Sequence, residues 1–251
     1  MTSTIKNNLK WLCSIAVAAL LFTACSKENN TPEPDKETGI HTPVTAGKVP
    51  FYKLQRVENF LAPADDSAPT TPPPTVYFSL ENKEQTPVEY VKTIRWDITF
   101  TGLYNSFLGS NNGKDDKNSG YGANGLGGIV IFKKPFNEVT DVPADAEFST
   151  SKLIGTDDLG AFGEGTGWYL YDFSGTIKGD GSFNKMHVAY AMPDERTVVV
   201  RTAKGNYAKI KMISCYKDAF TPDLWFRDTP HMYFTFEYVI VPKGSTKFEI
   251  K

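Results

Sequence analysis

The sequence predicts an all-β fold: a single antiparallel β domain with long loops. Three observations predict it. Aromatic residues make up 13% of the chain, with 17 Phe and 12 Tyr beside 20 Gly and 16 Pro, a mixture of strand formers and turn formers. Several segments alternate apolar and polar residues with period two. No segment carries the 3.6-residue period of a long amphipathic helix, a coiled-coil heptad or an internal repeat. The formal net charge of −2 gives no electrostatic reason to expect nucleic acid as a partner.

Residues 1–24 read as a lipoprotein signal peptide rather than as part of the fold. Lys6 and Lys10 form a basic start, and Trp11 to Phe22 is an apolar run too short for a comfortable membrane span. Leu21-Phe22-Thr23-Ala24-Cys25 then resembles a bacterial lipobox, with Phe22 where Leu is more usual. The expected processing is cleavage before Cys25 and acylation of that residue, palmitate among the chains. The lipid would hold the protein at a membrane surface. Residues 25–48 form a tether rich in Pro, Glu, Lys, Thr and Asn, unable to bury enough surface to offset the cost of ordering. Once Cys25 is lipidated, Cys215 has no partner for a disulfide and reads as a buried structural thiol.

The folded domain is expected over residues 49–251. Val49 to Leu61 holds the first candidate strand. The Pro-rich run Ala62 to Thr75 breaks the chain, and Val76 to Leu80 follows as a short strand. Glu81 to Pro87 reads as a polar turn. Lys92 to Gly102 alternates, with Ile94, Trp96, Ile98 and Phe100 on a core face and Arg95, Asp97, Thr99 and Thr101 on a wet one. Asn111 to Gly128 reads as a plain flexible loop. Its Asp115, Asp116 and Asn118 do not fit a calcium register, which would place Gly127 where Glu is needed. Gly128 to Lys133 is almost wholly apolar and reads as an interior strand. Gly155 to Gly167 is a second glycine-rich loop, Trp168 to Phe173 an aromatic strand, and Gly175 to Gly181 a turn.

The strongest local signal runs from Arg196 to Tyr216. Val198, Val199, Val200 and Thr202 favour a strand, and Lys204-Gly205-Asn206 a reversal. The return strand points Ala208, Ile210 and Met212 one way and Lys209 and Lys211 the other. Met232 to Val241 is the last long strand, with Met232, Phe234, Phe236, Tyr238 and Ile240 on one face. Lys243-Gly244-Ser245 is a turn, and Thr246 to Ile250 reads as a closing edge strand.

Several of these segments together resemble the HmuY family of bacterial haem-binding outer-membrane lipoproteins. They are the lipobox at Cys25, Arg95-Trp96-Asp97-Ile98, Gly167-Trp168-Tyr169, and above all Arg201-Thr202-Ala203-Lys204-Gly205-Asn206-Tyr207-Ala208-Lys209 with Ser214-Cys215-Tyr216-Lys217. Tyr233 to Val239 and the Lys243-Gly244-Ser245 turn complete the set. The resemblance implies a hand-shaped β domain with loops like fingers and thumb. It also implies a hemophore-like function: haem capture at the cell surface through two axial side chains, His in some members and Met in others, then delivery to a TonB-dependent outer-membrane receptor. The oligomeric state stays open, a homo-oligomer included.

Haem iron takes His nitrogen or Met sulfur as an axial ligand. Met186, His187 and Met192 cluster just before the signature hairpin, where the family places one ligand, and are the candidate haem-binding residues. No other metal site is expected. His41 lies in the tether and Met212 on a core face, while His231 and Met232 stand where a loop enters the last strand. The second ligand is expected from the region Ile154 to Trp168, which has neither His nor Met. Tyr169 and Tyr171 are near, and a phenolate can ligate ferric haem, but packing within an aromatic strand is the preferred reading for both. Catalysis is not expected. The chain lacks His-Glu-x-x-His, Gly-x-Ser-x-Gly and Walker patterns, and the acid pairs Asp115-Asp116, Asp157-Asp158 and Asp194-Glu195 read as exposed loop residues. The alternative function is a surface lipoprotein whose β domain binds a protein or glycan without haem.

Overall fold

A computed structural model describes residues 48–251. The lipidation candidate Cys25 and nearly all of the tether lie outside the described residues. Those described form an all-β structure with antiparallel sheets, and their helical segments are single short turns.

Eleven strands occur in chain order: β1 Gln55–Leu61, β2 Val76–Ser79, β3 Glu84–Thr86, β4 Ile98–Thr101, β5 Phe107–Ser110, β6 Gly128–Phe132, β7 Tyr169–Asp172, β8 Val188–Ala191, β9 Thr197–Arg201, β10 Tyr207–Tyr216 and β11 His231–Val241. They make a five-stranded sheet of order β1-β11-β10-β9-β6, a four-stranded sheet of order β3-β2-β4-β5, and the hairpin β7-β8. The two larger sheets face each other through aromatic rings. Phe60 meets Phe78 at 4.9 Å, Phe78 meets Phe236 at 5.5 Å and Phe100 meets Phe234 at 4.5 Å. Rings at these spacings add specific edge and offset contacts to the area they bury.

The alternation read for β11 holds: Met232, Phe234, Phe236, Tyr238 and Ile240 all enter the main core. The signature turn also holds, with Gly205 at φ 88° and the Gly205 N–H donating to the Thr202 carbonyl. Cys215 is buried, and that burial pushes its thiol up to about 12, so it is an inert core thiol.

Four expectations are corrected. The strand expected over Lys92 to Gly102 is confined to Ile98–Thr101, and Ile94 is exposed. Its supposed wet face is also covered, because Asp97 and Thr99 are buried under neighbouring loops. Gly128–Phe132 forms the edge of the large sheet rather than its interior. Lys209, expected in water, is buried; its Nζ donates to the carbonyls of Phe136 at 2.8 Å and Val139 at 3.0 Å. The cause is a strap over residues 136–148 which, with Phe248, builds a second core on the far face of the sheet around Val199, Val239 and Val241. Finally, Asn111 to Gly128 is closely bonded to itself and its neighbours. The Asn118 amide donates to the Ser110 and Thr150 carbonyls, and the Asn112 side-chain Oδ1 accepts two backbone N–H groups.

The signature hairpin docks onto two buried carboxylates. Thr202 Oγ1, Asn206 Nδ2 and Lys204 Nζ donate to Glu81 at 2.9, 2.8 and 2.7 Å. The backbone N–H groups of Leu80, Glu81 and Ala203 donate to Asp97 at 2.8, 3.2 and 3.1 Å. Burial, then the neighbouring Glu81 charge, push the Asp97 carboxyl up to about 6 despite those donors. The Thr-Ala-Lys-Gly-Asn run is therefore a lock between the sheets, which is why so many polar residues occupy one turn.

Candidate functional site

The hairpin β7-β8 stands on the main core. Leu170, Val188 and Tyr190 are buried in it, as is Trp168 just before β7, and the Ala189 N–H donates to the Tyr216 hydroxyl at 2.8 Å. Its register pairs Tyr169 with Ala191 and Tyr171 with Ala189. Directly opposite residues share a face, so this face carries tyrosines on one strand and small alanines on the other. Exposure rises along it: Tyr169 is 6% exposed and Phe173, just past the strand end, 45%. Tyr169 is a packing residue, its hydroxyl bonded to Ser106 and Thr156. Tyr171 is only half-buried and packs against the edge of the same core.

Two loops frame this face. The loop 173–187 joins the strands and is pinned at its base by Asp172, which accepts the N–H groups of Thr176, Ile177, Lys178 and Gly179 at 2.8 to 3.1 Å. Burial pulls that carboxyl up, but the four donors prevail and hold it below the usual carboxylate range. The loop's far end is tied down by Lys185 Nζ, which donates to the Trp225 carbonyl at 2.7 Å, and by the Arg227 N–H, which donates to the Asn184 carbonyl at 2.8 Å.

The second loop, residues 155–167, is held by Asp157. Its carboxylate accepts Arg196 Nε at 2.8 Å and the Gly167 N–H at 3.0 Å, with both ionic side chains almost wholly buried. The loop then runs beside β7, where the Ala161 N–H donates to the Tyr171 carbonyl at 2.8 Å. Gly160 permits this approach, since a Cβ there would stand 2.5 Å from the Tyr171 nitrogen. The result is Phe162 over the face, 77% exposed and 6.2 Å from the Tyr171 ring.

At the open end, Tyr171 Oη and His187 Nδ1 are 2.8 Å apart. Phe173 packs edge-on against the His187 ring at 4.7 Å and against Phe162 at 5.5 Å. Phe162 and His187 hold φ of 61° and 60°, a region costly for side-chain-bearing residues and frequent at functional sites. Burial, with the Arg227 charge in second place, lowers the pKa of His187 and favours the neutral imidazole. Burial also pushes the Tyr171 phenol up to about 12. Arg227 lies with its guanidinium 4.5 Å from the Phe183 ring and lines a depression of about 410 Å³ with Asp66, His231 and Tyr233.

Of the three residues picked out in sequence, His187 therefore stands at the open face, half-buried, and Met186, also half-buried, precedes it in the chain. Met192 does not. It is 6% exposed within the main core, and its carbonyl closes the turn into Arg196. Met232 is also in the core, whereas His231 Nε2 pairs with Asp66 at 3.0 Å. Sequence reasoning missed Phe162, Phe173 and Arg227 and set Tyr171 aside. The period-two alternation of Tyr169, Tyr171 and Phe173 was the available signal. Phe162 and Arg227 carry none, because folded loops bring them in.

Scaffold and site define a class: an all-β domain presenting an exposed aromatic and imidazole face between two anchored loops. The chain belongs to the HmuY family, whose model, described as HmuY protein, matches residues 73–238. Among solved structures it is similar to apo PinO from Porphyromonas gingivitis, at 13% identity and a TM-score of 0.41, covering 76% of this chain and 99% of that one. It is also similar to the apo HmuY analog of Tannerella forsythia, at 14% identity and a TM-score of 0.39, covering 77% and 99%. No curated protein matches the chain.

Proposed function

We propose that the protein is a hemophore-like lipoprotein that binds haem on the β7-β8 face and passes it to a TonB-dependent outer-membrane receptor. Cys25 carries the lipid anchor, and the tether lets the domain stand off the outer membrane at the cell surface. The observation that carries the reading is the Tyr171–His187 pair at 2.8 Å, flanked by the exposed rings of Phe162 and Phe173.

The donor set fits haem better than a bare ion. Among the described residues no group of three or more His, Cys, Asp or Glu side chains could hold a metal. A face offering one or two donors suits iron that arrives with its own four equatorial nitrogens. The aromatic rings supply flat apolar contact for a porphyrin. Arg227 and Lys185, the latter with Nζ 3.7 Å from the Phe226 ring, supply cations near the same end for carboxylates. In this reading His187 belongs to that face, Met186 is its half-buried neighbour in the chain, and Met192 is a core residue behind the haem-binding stretch. When bound, haem supplies an iron centre; the chain's own residues position it, cover its faces and exclude water.

Titration of the purified chain with haemin tests this. A Soret shift that weakens in His187→Ala or Phe162→Ala is expected. Absence of any shift under both oxidising and reducing conditions would leave the protein- or glycan-binding alternative standing.

A further inference from the structure

We infer that the depression at the start of β11 is a second binding site, for a neutral sugar. The inference does not rest on the haem reading. It concerns a different set of side chains, with Arg227 on the border between the two regions.

Three segments build the site. The Pro-rich run after β1 brings Asp66. Asn105 clamps that run near both ends, its Nδ2 donating to the carbonyls of Pro63 and Pro74 at 3.0 Å each. Within it Asp65 Oδ1 accepts the Ser67 N–H at 2.8 Å and the Ser67 hydroxyl at 2.6 Å, closing the turn that carries Asp66. The link after β10 brings Arg227 and Asp228, and the first residues of β11 bring His231 and Tyr233. With Ala64 and Pro230 between them they enclose about 410 Å³, inside the range of roughly 300–1,000 Å³ typical of small-ligand sites.

The acidic wall is held in place by its own neighbours. Asp66 Oδ1 is 3.0 Å from His231 Nε2, and the Tyr104 hydroxyl donates to the same carboxylate. The Tyr104 and His231 rings lie 5.8 Å apart, and His231 Nδ1 is 3.3 Å from the Thr229 carbonyl. Tyr104 and Met232 hold φ of 57° and 62°, so costly backbone conformations flank this site as they do the aromatic face.

The lining selects the ligand class. A bare metal ion is disfavoured by the Arg227 charge and by the lack, among the described residues, of three grouped ligating side chains. A phosphate or other multiply charged anion would meet two carboxylates, Asp66 and Asp228, against one guanidinium. A purely apolar ligand would leave all of these groups desolvated and unpaired. A sugar satisfies both signs at once. Each hydroxyl can donate to a carboxylate and accept from a guanidinium, and vicinal hydroxyls match the paired oxygens of one and the N–H fork of the other. Its C–H face then meets Ala64, Pro230 and the half-buried Tyr233 ring.

Saturation-transfer NMR on the purified chain tests this. The probes are glucose, galactose, mannose, fucose, N-acetylglucosamine and N-acetylgalactosamine, each at on the order of 10 mM, with inorganic phosphate and N-acetylneuraminic acid as the charged arms. Asp66→Asn and Asp228→Ala are compared with wild type after circular dichroism has shown each to be folded. At least one neutral sugar is expected to receive saturation, and to lose about tenfold in affinity in each variant. Both variants should bind haemin as wild type does, and Phe162→Ala should bind the sugar as wild type does. No transfer to any neutral sugar overturns the inference. So does transfer that survives in both variants, or displacement of the neutral sugar by phosphate or N-acetylneuraminic acid at lower concentration. Haemin titration is read separately, so a failure here leaves the haem reading intact, and absence of haemin binding leaves this site standing.

Discussion

Two polar clusters in this domain have similar ingredients and opposite designs. Beneath the signature hairpin, Glu81 and Asp97 are buried and receive donors from Thr202, Ala203, Lys204 and Asn206. At the tip of β7-β8, Tyr171 and His187 have one hydrogen bond between them and a rim of exposed rings. The first cluster is closed: nearly every group in it has a partner inside the protein, so it can only stabilise. The second keeps bonding capacity and apolar surface in reserve, as a binding face must. The segment on which the sequence resemblance chiefly rests is therefore scaffold, and the proposed recognition chemistry lies in loops with little sequence pattern of their own.

The largest effect is expected where the open face joins the scaffold. Asp157→Ala removes the partner of a buried Arg196 and frees the 155–167 loop. Breaking a buried pair this way costs about 3–5 kcal/mol, read by urea unfolding, and should also weaken haemin binding. Intact haemin affinity in this variant would show that Phe162 is not held in place by this anchor.

The next test uses pH. Burial pushes the Asp97 carboxyl up to about 6 in the folded chain, against about 3.9 for a free Asp side chain. A carboxyl raised by folding stabilises most below its unfolded pKa, and that contribution is lost as pH rises through the folded one. Between about pH 4 and 6 the lock should thus lose up to roughly 3 kcal/mol of its contribution. Asp97→Asn should flatten this slope in urea denaturation series. An unchanged slope would mean that the backbone donors keep the native carboxylate ionised throughout.

Glu81→Ala leaves the Thr202 hydroxyl and the Asn206 amide without their carboxylate. A loss of about 2 kcal/mol is expected, with haemin affinity unchanged. A large drop in haemin affinity would couple two regions that are here assigned separate roles. Phe162→Ala should do the reverse. Its side chain is 77% exposed, so stability should move by less than about 0.5 kcal/mol while haemin affinity falls severalfold. If stability falls instead, Phe162 is a packing residue and the face is smaller than described.

Legibility followed the range of the interactions. The β11 face from Met232 to Ile240 and the turn at Gly205 were readable because their causes are local: alternation fixes a face, and a glycine frees a φ. Lys209 was misread because its burial depends on a strap whose bonded carbonyls lie 70 and 73 residues away along the chain. The Lys92 to Gly102 strand was overextended because alternation cannot tell where a partner strand ends; β2 and β5 pair only with Ile98–Thr101. The strand Phe107–Ser110 was not identified, since it is only four residues long and Gly109 and Ser110 break the pattern.

The sequence by itself determined the class of fold, the family, and the short stretch around Met186 and His187 as the neighbourhood to inspect. Period-two patterning, turn residues and a dense signature are properties of neighbours along the chain. Only the tertiary structure decided that Met192 belongs to the core, that Tyr171 differs from Tyr169, and that Phe162 and Arg227 lie near the same end as His187. The reason is that a binding face is assembled from residues brought together by loop closure and sheet packing. Such distances are set by the whole fold and leave no periodic trace in any one segment.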